Sequence, residues 1–207
     1  MAPVVDSAEQ LRVLLGPAAA RYRIDLEVAA APLATYAERL MAWNRRINLT
    51  GARGLATLAV EHFADSFPLT EHLPHEARCI DVGSGAGLPG IVLAIIRRDL
   101  ELTLLEPREK RRAFLSAVVR ELDLPVTVLA DRLDSHLVRV GRASYDAAIS
   151  RAVFALTDWL DAGPALVRSG GVVIGLAGQR EEAVPSHAER VAYDVGAGPR
   201  AIAIVRV

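Results

Sequence analysis

The sequence is short of the features that most directly fix a protein's class. It has one cysteine, Cys79, so no internal disulfide can form, and a single thiol gives no metal-ligand spacing. No metal site is expected. Long apolar runs are also missing: hydrophobic residues make up 52%, yet Arg97-Arg98 interrupts the most apolar segment. Nothing approaches the roughly 18 uninterrupted apolar residues of a membrane span. The opening "MAPVVDSAEQ" contains acids and has no basic segment followed by an apolar one, so no secretory signal is read there. The expectation is a soluble, cytoplasmic monomer with no membrane association. An excess of one charge is lacking too, the formal net charge being -1. Bulk attraction to nucleic acid is therefore not indicated, and any RNA contact has to come from local clusters such as Arg45-Arg46 or "REKRR", Arg108 to Arg112. Such runs read first as solvated helix faces.

What is present is a change of rhythm near residue 76. Before it, Leu33, Tyr36, Ala37, Leu40 and Met41 recur at the spacing of one apolar helix face, ending before "NRRINLTG", and a second helix is predicted over Leu55 to Glu71. After it come short apolar runs separated by helical stretches: "RCIDV", "LELTLLE", "PVTVLA", "YDAAIS" and "GGVVIGLA". Strands alternating with helices imply a mostly parallel sheet covered on both faces. The final "ERVAYDV" and "RAIAIVRV" are separated only by "GAGP", too little for a crossover, so an antiparallel pair is expected at the C-terminus. The chain thus divides into a helical N-terminal extension, residues 1–76, and an α/β unit, residues 77–207.

The stretch "CIDVGSGAGLPG" places four glycines and a proline behind the first strand. In an open parallel sheet this turn comes closest to a ligand bound at the carboxyl ends of the strands. "GAGLPG" also satisfies the dinucleotide pattern, and Glu106 lies 21 residues after Gly85, where a ribose-binding acid belongs. Charge argues for a different ligand. Asp81 would face the pyrophosphate of a dinucleotide, and like charges about 4 Å apart cost on the order of 1 to 4 kcal/mol. S-adenosylmethionine carries no phosphate and bears a sulfonium and an ammonium, so the same acid becomes attractive. A tight turn that binds nothing is the plain alternative.

The residues after the fourth strand narrow the choice of acceptor. Enzymes that methylate amino groups of nucleic acids commonly show Asn or Asp, then Pro-Pro and an aromatic; here the place reads "AISRAVFA", Ala148 to Ala155. Carbon-5 methylation of pyrimidines needs a cysteine nucleophile, and Cys79 precedes the turn on a strand that points at packing. An acceptor that is already nucleophilic remains. "WNRRINLTGAR", "HFADS", "IDVGSGAGLPGIVLAI", "LLEPREKRRAFL" and "ISRA", in this order, resemble the bacterial glucose-inhibited division protein B family, also called RsmG. The resemblance spans most of residues 40 to 152. It implies a Rossmann-like class I methyltransferase sheet with a helical extension, and methylation of N7 of a guanine in 16S ribosomal RNA or the small ribosomal subunit, with S-adenosylmethionine as cofactor. Guanine N7 has no proton to remove, so no catalytic base is expected.

Carried over by motif, Gly83 and Leu88 contact the cofactor, with Asp81, Gly85 and Gly87 in the same turn. Glu106 takes the ribose hydroxyls, Leu133 and Asp134 lie beside the adenine, and Arg151 clamps a carboxylate. The plain alternatives are a turn glycine, a core leucine, a surface acid and a helix N-cap at Asp134. His62 and Asp65 share one helix face and could line the cleft as support, or form a surface pair. Asn48 and Thr50 read as braces of the turn between extension and sheet, and Trp43 as a core residue. Two departures from the family stand out: Ala177 occupies the place of a lysine, with Arg180 nearby, and Arg200 stands where an Arg-His pair is usual. The missing lysine leaves open a binding module that assists ribosome assembly without transferring methyl, and the glycine pattern leaves open a dinucleotide oxidoreductase.

Overall fold

The computed structural model describes residues 6–178 and 184–207. Arg180 lies outside them. Two long helices lead, α1 (Ser7–Tyr22) and α2 (Leu26–Asn44), and Asp25 caps the second by accepting from the Glu27 amide at 2.9 Å. The apolar face read from the sequence is buried along Leu33, Tyr36, Ala37 and Leu40, while Met41 at its end is half-buried.

The segment Leu55 to Glu71 departs from expectation. It is a short α3 (Leu55–Leu58) running into a π turn (Ala59–Phe63) and a 3₁₀ helix (Ala64–Glu71). Pro68 has no amide hydrogen to give the preceding turn, and Leu58, Ala59, Phe63, Ala64, Phe67 and Leu69 are all buried, more directions than one regular apolar stripe can face. The π turn changes the angular offset of the residues it contains, a device common at functional sites. His62 thereby faces a cleft while Asp65 points into the interior.

The sheet has seven strands: β1 (Arg78–Val82), β2 (Glu101–Leu105), β3 (Val126–Leu129), β4 (Tyr145–Arg151), β5 (Val167–Gly178), β6 (Glu189–Asp194) and β7 (Pro199–Arg206). Their order is β3-β2-β1-β4-β5-β7-β6. β1 to β5 run parallel, and β7 is antiparallel to both β5 and β6. Sequence order reverses direction between β1 and β4, and that switch point opens the crevice where ligands of such sheets bind. The crossover helices are α4 (Gly90–Ile96), α5 (Glu109–Glu121), α6 (Leu133–Val140) and α7 (Leu156–Ala162).

The N-terminal helices share one core with a face of the sheet, joining Leu33, Phe63 and Tyr36 to Ile91, Phe114 and Ile149. The other face packs on Trp159 and Leu160 of α7. Trp43 packs against Phe114 at the edge of the first core, ring centroids 5.7 Å apart. Cys79 is fully buried and burial pushes its thiol up to about 12, so it is no nucleophile. Among the described residues no helix is long and apolar enough to cross a membrane.

Candidate active site

Directly after β1 the chain turns through Gly83, Gly85 and Gly87, with φ of 76°, 58° and 87°, the left-handed region where a side chain is strained. The turn is tied down by its own surroundings. The amides of Gly83 and Ser84 donate to the Leu105 carbonyl at 2.9 and 3.0 Å, and the Gly87 amide to the Ser84 carbonyl at 2.7 Å. The Gly85 amide donates to Oε2 of Glu106 at 3.0 Å. From the helical side, the buried Tyr36 hydroxyl donates to the Ala86 carbonyl at 2.6 Å. A Cβ on Gly83 would collide with Val153, so the loop after β4 lies directly on the turn.

Two cavities meet at that contact, and a third adjoins them. The first, about 240 Å³, is walled by Leu105, Pro107, Leu133, Asp134 and Phe154, with Gly83 and Val153 at its edge. The second, about 270 Å³, shares Gly83 and Val153 and adds Thr50, His62, Leu88 and Arg151. The third, about 250 Å³, opens at the carboxyl ends of β4 and β5 between Arg151, Phe154, Ala177 and Arg200.

Arg151, the last residue of β4, bridges the helical extension and the sheet. One of its terminal nitrogens, Nη2, lies 2.7 Å from Nδ1 of His62, and Nη1 lies 3.5 Å from Oδ2 of Asp65. Arginine can only donate, so Nδ1 accepts and the imidazole proton sits on Nε2, which faces the Thr50 hydroxyl at 3.3 Å. Burial, reinforced by the Arg151 charge, holds His62 down at about 4, so the ring is neutral at physiological pH. Asp65 is 2% exposed and is no surface partner of His62. It receives the Tyr193 hydroxyl at 2.6 Å and Nη1 of Arg200 at 3.1 Å. A buried carboxylate facing two guanidiniums satisfies the rule that interior charges are paired.

Two carboxylates predicted to line the pocket sit behind it. Asp81 is 1% exposed and its Oδ2 accepts from the Gly90 amide at 3.2 Å, so it faces the start of α4. The electrostatic expectation of an open acid before the glycines is corrected accordingly: an apolar enclosure, chiefly desolvation, raises its carboxyl to about 7. Glu106 is also buried, its Oε1 receiving the Arg108 amide at 2.8 Å while Oε2 holds Gly85. Gly87 packs inward toward Ile91 and Leu115 and lines none of the three cavities. Gly83, Gly85, Leu88, Leu133, Asp134 and Arg151 do line them. Asp134 is not the cap of α6, since the capping position falls at Arg132.

The Asp81 environment gives a pH signature. Its folded value of about 7 stands above the ordinary aspartate value of 3.8. Between those values the folded chain binds the proton that the unfolded chain has released, so stability falls as pH rises from about 4 to about 7. Asp81→Asn should flatten this slope in denaturant titrations at pH 4.5, 6 and 7.5. An unchanged slope would mean that Asp81 does not titrate there.

Sequence reasoning noticed Arg200 without giving it a role and missed Tyr193 and Asn44. Asn44 does most of the bracing expected of Asn48: its Oδ1 accepts the Leu49 and Thr50 amides at 2.7 and 3.0 Å, and its Nδ2 donates to the Thr50 carbonyl at 2.8 Å. Thr50 contributes by accepting the Ala52 amide at 3.2 Å. A lone tyrosine in an antiparallel strand carries no sequence signal for a contact across 128 positions.

Comparison with known proteins settles the lineage. Residues 29–199 match the GidB family, described as rRNA small subunit methyltransferase G. The chain belongs to this family. A relative named ribosomal RNA small subunit methyltransferase G from Anaeromyxobacter dehalogenans is 41% identical over 84% of this chain and 81% of its own. The protein of the same name from Mycolicibacterium paratuberculosis is 42% identical over 70% of this chain and 58% of its own. Among solved structures, a SAM-dependent methyltransferase from Aquifex aeolicus aligns with TM-score 0.54 and 15% identity, covering 73% of this chain and 93% of that one. The chain therefore has the Rossmann-like methyltransferase fold, mostly parallel with an antiparallel C-terminal pair. It is an rRNA methyltransferase by family.

Proposed function

We propose that this chain transfers a methyl group from S-adenosylmethionine to N7 of a guanine in the 16S RNA of the small ribosomal subunit, acting as a cytoplasmic monomer. In this reading residues 1–76 form the extension and 77–207 the methyltransferase unit. One observation carries the choice of cofactor. The amides of Gly83, Ser84, Gly85 and Gly87 are all committed to acceptors within the protein, leaving them unavailable as the amide cradle that a dinucleotide pyrophosphate uses. A phosphate-free ligand suits such a turn.

The residues present fit that ligand. The first cavity offers apolar walls from Leu105 and Pro107 with the Asp134 carboxylate and Leu133 beside them, appropriate to an adenosine whose amino edge needs an acceptor. Glu106, just past β2, holds the Gly85 and Arg108 amides and so shapes the ribose side of the turn from behind. In the second cavity the Arg151 fork would hold the amino-acid carboxylate, with a neutral His62 beside it accepting one of the guanidinium protons. When bound, the cofactor supplies a methyl group on a sulfonium centre. The protein's part is positioning: guanine N7 presents a lone pair and no proton, and well-oriented reactants gain up to about 7 to 11 kcal/mol. No base has to be assigned.

Calorimetry should show S-adenosylhomocysteine binding and no NADH binding; the reverse result would return the dinucleotide reading. Incubation with labelled S-adenosylmethionine and small subunits from a strain lacking the modification should place label in 7-methylguanosine, identified by nucleoside mass spectrometry. Cofactor affinity without labelled RNA would instead support an assembly factor.

A further inference from the structure

The third cavity is not accounted for by the cofactor. It shares Phe154 with the first cavity and Arg151 with the second, so whatever fills it abuts both parts of the cofactor site. Phe154 remains 39% exposed, while its ring is backed by Trp159, with centroids 6.0 Å apart and planes inclined by 15°. Trp159 is itself fixed by donating to the Ile174 carbonyl at 2.9 Å. A supported aromatic face open to a cavity is a stacking platform.

The opposite wall carries donors. Arg200 is 8% exposed and is held on one side by the Glu61 carbonyl at 3.0 Å and Asp65 at 3.1 Å. Its buried Nε has no hydrogen-bond partner, and neither has Nη1 of Arg151. Both arginines line the cavity; Nη1 of Arg151 already faces Asp65 at 3.5 Å, while an unsatisfied buried donor such as Nε of Arg200 is costly, and a small turn of its side chain would bring it to an incoming acceptor. Ala177, on the adjoining strand, keeps the space open.

We propose that this cavity is the acceptor pocket, where an unstacked purine of the RNA lies against Phe154 and Arg200 reads its edge. The inference rests on the methyltransferase reading above. Guanine presents O6 beside N7, both acceptors, whereas adenine presents an amino donor beside N7. With N7 directed to the methyl group, O6 is left for a guanidinium, and adenine would meet it with the wrong polarity. Arg200 is thus a specificity-determining residue, and Asp65 and Tyr193 position it.

Ala177→Phe, at a position that lines the third cavity and neither of the other two, tests this. S-adenosylhomocysteine affinity by calorimetry should stay unchanged, while transfer to small subunits falls about a hundredfold and saturation-transfer NMR of free guanosine, measured with excess S-adenosylhomocysteine, loses its signal. Phe154→Leu should raise KM for subunits about tenfold, with Phe154→Tyr restoring it. Full transfer by Ala177→Phe with intact cofactor affinity overturns the pocket. If that variant does not bind cofactor, wild-type KM for Phe154→Leu overturns it instead. Guanosine saturation that appears in the wild type and vanishes in Ala177→Phe, with no transfer to any RNA, would retain the pocket and discard the methyltransferase reading.

Discussion

Asp65→Ala is expected to lower the melting temperature by about 6 to 20 °C. Removing one partner from a buried ion pair costs about 3 to 5 kcal/mol because the other charge stays behind uncompensated, and in a chain of this size each kcal/mol is worth about 2 to 4 °C. Asp65 qualifies because both Arg200 and Arg151 face it from different strands, and Arg200 is 8% exposed. Tyr193→Phe is the control. It deletes the single 2.6 Å hydrogen bond to Asp65 and leaves every charge paired, so it should cost about 1 kcal/mol. Scanning calorimetry of both variants separates the cases. If Asp65→Ala melts no earlier than Tyr193→Phe, Asp65 does not hold the two guanidiniums.

The second large effect concerns the glycine turn. Gly83→Ala should weaken S-adenosylhomocysteine binding on the order of a hundredfold, ~3 kcal/mol. Gly85→Ala should weaken it far less. Both positions have positive φ, 76° and 58°, so at both a side chain costs about 1 to 2 kcal/mol for the left-handed conformation. They differ in what the new methyl meets. At Gly83 it collides with Val153, which borders the first two cavities, whereas at Gly85 the nearest atom is 3.6 Å away. Isothermal titration of the two variants, beside their melting curves, checks this. Equal losses of affinity would show that conformation alone matters and that Val153 moves aside without closing the pocket.

The legibility of the chain tracks the range of its interactions. Every strand was readable because alternating strand and helix segments reveal themselves within ten or so residues, and the "GAGP" turn dictated the antiparallel end. The glycine turn was legible from its own residues, while Leu133, Asp134 and Arg151 entered only through the family resemblance; the structure places all three on cavities beside the turn. The irregularity at Ala59–Phe63 was not, because burial of Leu58, Phe63 and Phe67 together is imposed by elements far along the chain. Asp81 shows the converse error. Its place at the end of β1 was right, yet sequence does not report side-chain direction, and the carboxylate turns toward Gly90. Likewise Tyr193 reaches Asp65 across 128 positions of chain, and Arg200 reaches the Glu61 carbonyl across 139.

The Tyr36 hydroxyl on the Ala86 carbonyl makes the leading helices a keystone of the loop they touch rather than an ornament beside it. Grafting the extension of a relative onto this sheet would transplant the floor of the loop along with it, so chimaeras joined near residue 76 should inherit the ligand affinity of their amino-terminal parent.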